Sequence, residues 1–505
     1  MSFSEYDSFD GLGLAELVRT KKVKPNELLD EAIMRTERVN KTLNAVIYLG
    51  VDQARRQLEE CDLKAPFAGV PFLAKDLGPT VKDMPITWGS RAYKGLVPSQ
   101  IDSTLIERIK KAGCVIFGKT NVPEFGQLPI TEPKLFGPCR NPWDPKRSPG
   151  GSSGGAAAAV ASGIVPMAHG SDGGGSIRCP ASCTGLFGLK PSRGRQPIGP
   201  KGVDAVGYLN VEHAITRSVR DSAALLDATQ GRDPGTILSV PSPNQSFLSE
   251  VGRDPGRLKV AVYHGAMLGQ KVHPDCRAAV DHTAKLLEQL GHDVEEAEPK
   301  DIDYREVANH FLMLWSAVAC NIFEVLEEEK GSHSKSSDFE PVTWGMIKAA
   351  RVLSAWDVAN AVQGEGLLAK KMIEFFSKYD LLLTPTLAAP PVKVGQLVPG
   401  PIDEAILMAV VNLNNASVTR STIDKLAAKS FSWTAFCAPF NMTGQPAMSV
   451  PLYWNKDNLP IGTHLVARFG EEATLFRVAA QLEQAQPWAY KRPAVWSGQT
   501  LAVTA

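Results

Sequence analysis

The chain has 505 residues, enough for several domains or for one large one. With 44% hydrophobic and 21% charged residues it has the composition of a globular protein, which excludes disorder throughout. The 54 Lys and Arg balance the 54 Asp and Glu, so no global field draws the chain to nucleic acid or to an anionic membrane.

The first residues, MSFSEYDSFDGLG, carry acids and no apolar core, so a signal peptide is not expected there. No run of about 18 uninterrupted apolar residues predicts a membrane span. A cytoplasmic enzyme is the expected class. Residues 12–60 read as helical, with apolar residues at i, i+3, i+4 and i+7 and Pro25 placed to open the second helix. From residue 66 the texture changes. PFAGVPFLAKDL (66–77) and GCVIFGKT (113–120) contain short apolar runs typical of buried strands, and STLIERIKKAG (103–113) between them is an amphipathic helix. Helix alternating with buried strand predicts α/β layering.

Residues 138–195 hold the unusual composition. A Gly/Pro/Ser-rich stretch ends in Gly150-Gly151-Ser152-Ser153-Gly154-Gly155 and is followed by AAAAVASG, a small-residue helix expected to pack closely against its neighbours. Residues 230–256 read as a surface excursion. LKVAVYH (258–264) is a strand, DCRAAVDHTAKLLEQLGH (275–292) a helix, and the run from Asp293 a further strand. Residues 305–329 and 341–378 are mostly helical. YDLLLTPTLAAPP, PFNMTGQPAMSVPLY and IGTHLVARF supply late sheet strands. No internal repeat and no long linker divides the chain, so one domain over 1–505 is expected: an N-terminal helical segment (1–65), a core carrying the chemistry (66–230) and the remainder (231–505).

Two motifs are decoys. Residues 113–120 match GxxxxGK[ST] letter for letter, but Cys-Val-Ile-Phe between the glycines wants to be a buried strand, and Pro123 stands where a helix should follow. The GxSxG matches within 150–155 suggest a nucleophile elbow, yet the preceding PWDPKRSP cannot be the strand an elbow requires, and neither His264 nor His464 is marked as a partner. Most of the eight cysteines read as buried thiols, Cys179 and Cys183 among them, with no zinc spacing nearby.

The informative constellation is Gly173-Gly174-Gly175-Ser176. Successive glycine N–H groups can converge on one anion, which is what an oxyanion hole requires. Its counterpart is Lys75, at the end of a strand-like apolar run. A desolvated amine there can be neutral near pH 7 and serve as base for a serine nucleophile. The bland alternatives are a plain glycine turn and an ion-paired lysine beside Asp76.

The run 148–195 resembles the signature of the amidase signature family. Further matches extend along the chain: GVPFLAKDL (69–77), GKTNVPEFG (118–126), FGPCRNPWD (136–144), TRSVRDSAALLD (216–227), YDLLLTPT (379–386) and PFNMTGQPAMSVP (439–451). The resemblance implies an α/β fold with a central mixed, twisted sheet flanked by helices on both faces. It implies a Ser–cis-Ser–Lys triad with Ser176 as nucleophile, Ser152 as bridge and Lys75 as base. The N–H groups of Gly173, Gly174, Gly175 and Ser176 would form the oxyanion hole, with Asp172 and Arg178 bracing the loop and Ser153 assisting. Glycine at 173 departs from the family's usual Thr, Ile or Ala, which predicts a looser loop and a smaller pocket wall. Within the family, TEP (131–133), VTWGMIKAA (342–350) and FNMTGQPA (440–447) are similar to the branch that hydrolyses the cyclic dimer of 6-aminohexanoate, close to enzymes acting on anilides and urethanes.

The expected substrate is a small amide, carbamate or ester. Neither nucleic acid nor membrane is an expected partner, and a homodimer is admissible. The chemistry needs water alone, so no cofactor and no metal are expected. Gln127 is a candidate polar contact, and Phe311, Trp315, Trp344, Trp356, Phe431, Trp433 and Phe436 are candidate pocket aromatics or core. The competing class is a glutaminase-type A subunit of a tRNA-dependent amidotransferase.

Overall fold

The structure is a computed structural model. It describes residues 5–498 apart from 201, 203–207, 234–235, 239, 266 and, within 413–430, positions 413, 414, 416, 417, 419, 420, 423, 424, 426, 427, 429 and 430. Eleven strands form one mixed sheet: β1 (Val46–Leu49), β2 (Pro71–Lys75), β3 (Val115–Thr120), β4 (Met167–Asp172), β5 (Phe187–Lys190), β6 (Val211–Thr216), β7 (Lys259–Val262), β8 (Asp293–Glu296), β9 (Leu381–Pro385), β10 (Ala447–Trp454) and β11 (Pro460–Ala467). Their order across the sheet is β1-β3-β2-β4-β6-β5-β10-β11-β9-β7-β8. β2 runs parallel to β3 and β4, and β7 runs parallel to β8 and β9. The remaining pairs are antiparallel.

Alternation along the strands explains the helical layers. Leu73, Val115, Phe117 and Ala168 pack on one face with the helix Gly154–Ala161. Phe72, Ala74, Ile116 and Met167, the intervening residues of the same strands, pack on the other face with residues of the helices Gly11–Arg19, Thr104–Lys111 and Val219–Thr229. A period of two sends neighbours to opposite faces. Both faces need cover because both are apolar. Every residue of the helix Gly154–Ala161 is buried, as its small side chains predict.

Two expectations are corrected. Residues 12–60 are not helical throughout, because β1 interrupts them. The helix Pro25–Leu43 ends at Asn44 in the left-handed region (φ 50°), and the Asn40 amide receives the N–H groups of Ala45 and Val46 and donates to the Val46 carbonyl, turning the chain into the strand. The run 439–453 is not strand from its start either. Pro439–Met442 is a short helix opened by its proline, and the strand begins at Ala447.

The helix Tyr304–Lys330 is long and apolar enough, by length and composition, to cross a membrane. Its apolar face is instead packed against protein through Phe311, Leu314, Ala319, Phe323 and Leu326.

Candidate active site

Lys75 ends β2 and Ser171 lies at the end of β4, its parallel neighbour. Carboxyl ends of adjacent parallel strands are where open α/β sheets place their chemistry. Lys75 follows Leu73 by two residues, so its side chain takes the face covered by the helix Gly154–Ala161. There its Nζ is fully buried, 2.8 Å from Ser152 Oγ, 2.8 Å from Ser171 Oγ and 3.4 Å from the Ser171 carbonyl. Burial lowers the Lys75 pKa to about 7, outweighing the carboxylates of Glu212 and Asp172, which pull it back up.

Ser152 follows a cis peptide bond from Gly151. No strand precedes it, and Ser153 does not project as an elbow nucleophile. The Ser153 hydroxyl donates to the Ser171 carbonyl and receives the Ser171 N–H, tying the start of the helix Gly154–Ala161 to β4. The P-loop look-alike is the buried strand β3, with no helix directly after it.

Ser176 is half-buried on the wall of a cavity that Gly126, Gln127, Gly151, Gly174, Gly175 and Cys179 also line. The Ser153 N–H donates to the Ser176 carbonyl at 3.2 Å, fixing the two serine segments side by side. The Ser176 hydroxyl itself makes no hydrogen bond among the described residues. Before it, Gly175 has φ +127°, a conformation that a side chain resists, and a Cβ there would come within 2.8 Å of Cys179 Sγ and Cys437 Cβ.

Gly175 corrects one expectation. Its N–H donates to Asp172 Oδ1 at 2.7 Å, so it is engaged in bracing the loop and is not a free oxyanion donor. The N–H groups of Gly173, Gly174 and Ser176 have no acceptor among the described residues. Asp172 also receives Arg178 through Nε (2.9 Å) and Nη2 (2.9 Å). Burial alone would raise its carboxyl pKa, but Arg178 beside it holds it well below the usual carboxylate range. Arg178 is buried too, and reaches Asn441 Oδ1 (2.6 Å), the Cys437 carbonyl (3.1 Å) and His464 Nε2 (3.0 Å). His464 therefore belongs to this bracing network. His264 pairs with Asp281 instead.

Sequence reasoning missed Ser171, His169, Glu212 and Asn441. His169 Nδ1 receives the Lys75 backbone N–H at 3.3 Å, which leaves Nε2 to donate to Glu212 Oε2 at 2.9 Å. The signal was present: His169 and Ser171 alternate on β4, polar residues on one face of a strand that is buried along its whole length. Asn441 donates to both Oδ1 and the carbonyl of Asp172 from a segment 269 residues away, which no local pattern announces.

Among the described residues the cavity wall carries no Asp, Glu, Lys, Arg or His. Its walls are mostly Leu, Met, Val, Pro and aromatic side chains, with Cys179 and the hydroxyl-bearing Ser176 and Thr434 among them. Of the seven candidate aromatics, Phe311, Trp315 and Phe431 face it. Trp344, Trp433 and Phe436 belong to core clusters, and Trp356 is 72% exposed. Gln127 also lines the cavity, and its Oε1 receives the Trp315 indole N–H at 2.6 Å. The pocket wall beside Gly173 is not vacant, because the Trp315 ring occupies that space.

Comparison with known proteins identifies the family. The Amidase family model matches residues 27–476. A 6-aminohexanoate-cyclic-dimer hydrolase from Pseudomonas sp. (strain NK87) is 36% identical over 492 residues, 96% of each chain. A solved structure of 6-aminohexanoate cyclic dimer hydrolase complexed with substrate superposes with a TM-score of 0.90 at 35% identity, covering 97% of this chain and 99% of the other. A bacterial aryl acylamidase of the amidase signature family superposes with a TM-score of 0.82 at 27% identity, covering 98% and 99%. A match of this extent in sequence and in fold has one meaning: the chain belongs to the amidase family, as an amidase-signature hydrolase that acts on amides.

Proposed function

We propose that the protein is a stand-alone hydrolase of small, uncharged apolar or aryl amides, working through an acyl-enzyme on Ser176. Carbamates, esters and nylon-type oligomers are the neighbouring substrate classes, since each presents a carbonyl to the same nucleophile. The observation that carries this reading is the buried contact between Lys75 Nζ and Ser152 Oγ at 2.8 Å, with the lysine pKa brought down to about 7. A neutral amine has a lone pair free to accept from Ser152, and two N–H groups to donate to the hydroxyl and carbonyl of Ser171.

In the proposed cycle Lys75 takes the Ser152 proton as Ser152 takes that of Ser176. The Ser176 oxygen attacks the substrate carbonyl, and the N–H groups of Gly173, Gly174 and Ser176 stabilise the oxyanion. The proton returns through Ser152 to the leaving amine, and water then releases the acyl group by the same relay run again. Ser176 Oγ must close on Ser152 Oγ for this, a tightening ordinary on going from a free enzyme to its substrate complex.

The uncharged cavity wall supports the substrate class and weighs against the glutaminase reading. Glutamine brings an ammonium and a carboxylate, and burying either without a partner is costly. An uncharged substrate meets mainly apolar walls, the amide of Gln127 and the hydroxyls of Ser176 and Thr434. The test is a fluorophosphonate serine probe with peptide mapping, followed by a panel of neutral anilides, carbamates, esters and free glutamine. Label on Ser176 that is lost in Lys75→Ala, with turnover of neutral substrates and none of glutamine, is the expected result. Label on Ser153, or undiminished turnover in Lys75→Ala, refutes it.

A further inference from the structure

Gly173 and Gly174 are glycine for a reason different from that of Gly175. Neither has a positive φ, so their backbone suits other residues. What they lack is space. A Cβ on Gly173 would lie 2.4 Å from Trp315 Cζ3, and one on Gly174 would lie 2.8 Å from Phe311 Cζ. Contacts that short do not persist, so either the ring or the loop would have to move by about 1 Å to restore van der Waals distance.

The rings are held. Phe311 and Trp315 stand four residues apart on the helix Tyr304–Lys330, where such a pair shares one face. They stack with centroids 5.8 Å apart and planes 11° from parallel. Phe431 meets Phe311 edge-on at 5.3 Å. The indole N–H donates to Gln127 Oε1 at 2.6 Å, fixing the rotation of the ring. The loop that lies on this platform carries two of the N–H groups with no acceptor.

We propose that Trp315, oriented by Gln127, is a positioning residue for acyl transfer, and that Gly173 and Trp315 form a matched pair in which the indole fills the volume a side chain at 173 would take. The platform fixes the height of the Gly173 and Gly174 N–H groups over the carbonyl attacked by Ser176. This rests on the acyl-enzyme reading above. The same ring is part of the cavity wall, so the pair links oxyanion geometry to the width of the substrate site.

The pairing predicts compensation. Gly173→Ala should lower kcat by about 100-fold, the order expected for misplacing a catalytic group by about 1 Å, while changing KM much less. Trp315→Leu removes the clash, so Gly173→Ala/Trp315→Leu should regain at least about tenfold over Gly173→Ala, a coupling within the range for residues in contact. Near-parental kcat in Gly173→Ala, or a double variant no better than the product of the singles, overturns the proposal. Should Gly173→Ala not fold, Gln127→Leu and Trp315→Phe carry the test. Each deletes the same hydrogen bond, so each should lower kcat, and the two together should cost no more than the larger single loss. Independent losses that multiply overturn it. Fluorophosphonate labelling of the parent chain is run alongside. Absence of label on Ser176 removes the acyl-enzyme reading and the pairing with it, whereas label with multiplicative losses removes the pairing alone.

Discussion

Lys75 Nζ and Ser171 Oγ lie 2.8 Å apart at the ends of two parallel strands. Ser171 thereby does for the lysine what a backbone cage does for an ion. It offers its hydroxyl and its carbonyl to one amine and leaves one side of Nζ facing Ser152, the side that the proposed proton relay would use. Its hydroxyl is a test of that orientation. Ser171→Ala should lower kcat by about two- to tenfold, the worth of one net hydrogen bond, with KM little changed and an unaltered circular dichroism spectrum. Full activity in Ser171→Ala would show that burial alone positions the amine.

The pH dependence follows from the lysine. Burial disfavours the ammonium and brings its pKa to about 7. Activity should therefore rise with pH through a midpoint near 7, read from kcat/KM between pH 5 and 9. Lys75→Arg should be inactive across that range, because a guanidinium stays charged. The sign for stability is the same. Between about pH 7 and the ordinary lysine value the unfolded chain holds a proton that the folded chain does not, so this site's contribution to stability increases with pH over that window and is at its worst below it.

Glu212 pulls the Lys75 pKa upward through its charge and holds His169. Glu212→Gln keeps an oxygen to accept from His169 Nε2 and removes the charge. The acid limb of the rate profile should move to lower pH in this variant, checked by the same titration. A limb that stays in place would show that the carboxylate is too well screened to act on Lys75.

Arg178 supports the loop through five side-chain contacts with protein, two of them to Asp172. Arg178→Met leaves a buried carboxylate unpaired, a loss of about 3–5 kcal/mol in comparable cases. Denaturant unfolding should show it as a lower midpoint, and activity should fall with it. The Asp172 carboxyl, held low by Arg178 against its burial, contributes stability above the ordinary aspartate range, and that contribution is lost as pH falls through the lowered value.

Legibility in the sequence tracked locality. The Gly/Ser run, the small-residue helix and the strand ending in Lys75 carry local patterns, and each lies where its pattern puts it. β1 was missed because its four residues sit between two amphipathic helices, and the device that breaks the helix is an asparagine side chain four residues upstream of the break. The donor role of Gly175 misled because a glycine tells that the backbone is free to turn, not which acceptor its N–H will meet. The Gly173 departure read as looseness for a related reason. The ring that fills the space lies 142 positions further along the chain, and proximity of that kind has no local signature.

The strand order also bears on how the protein is made. β5 pairs with β10, and β11 joins β10 to β9, so the last two strands of the chain join the sheet's two halves. A nascent chain lacking residues 447–467 has its Lys75 and Ser176 segments synthesised but no seam between those halves, and a chain stopped before Asn441 also lacks a hydrogen-bond partner of Asp172. The residues that join the two halves of the sheet and hold Asp172 thus lie between 441 and 467, far along the chain from the Lys75 and Ser176 segments they complete.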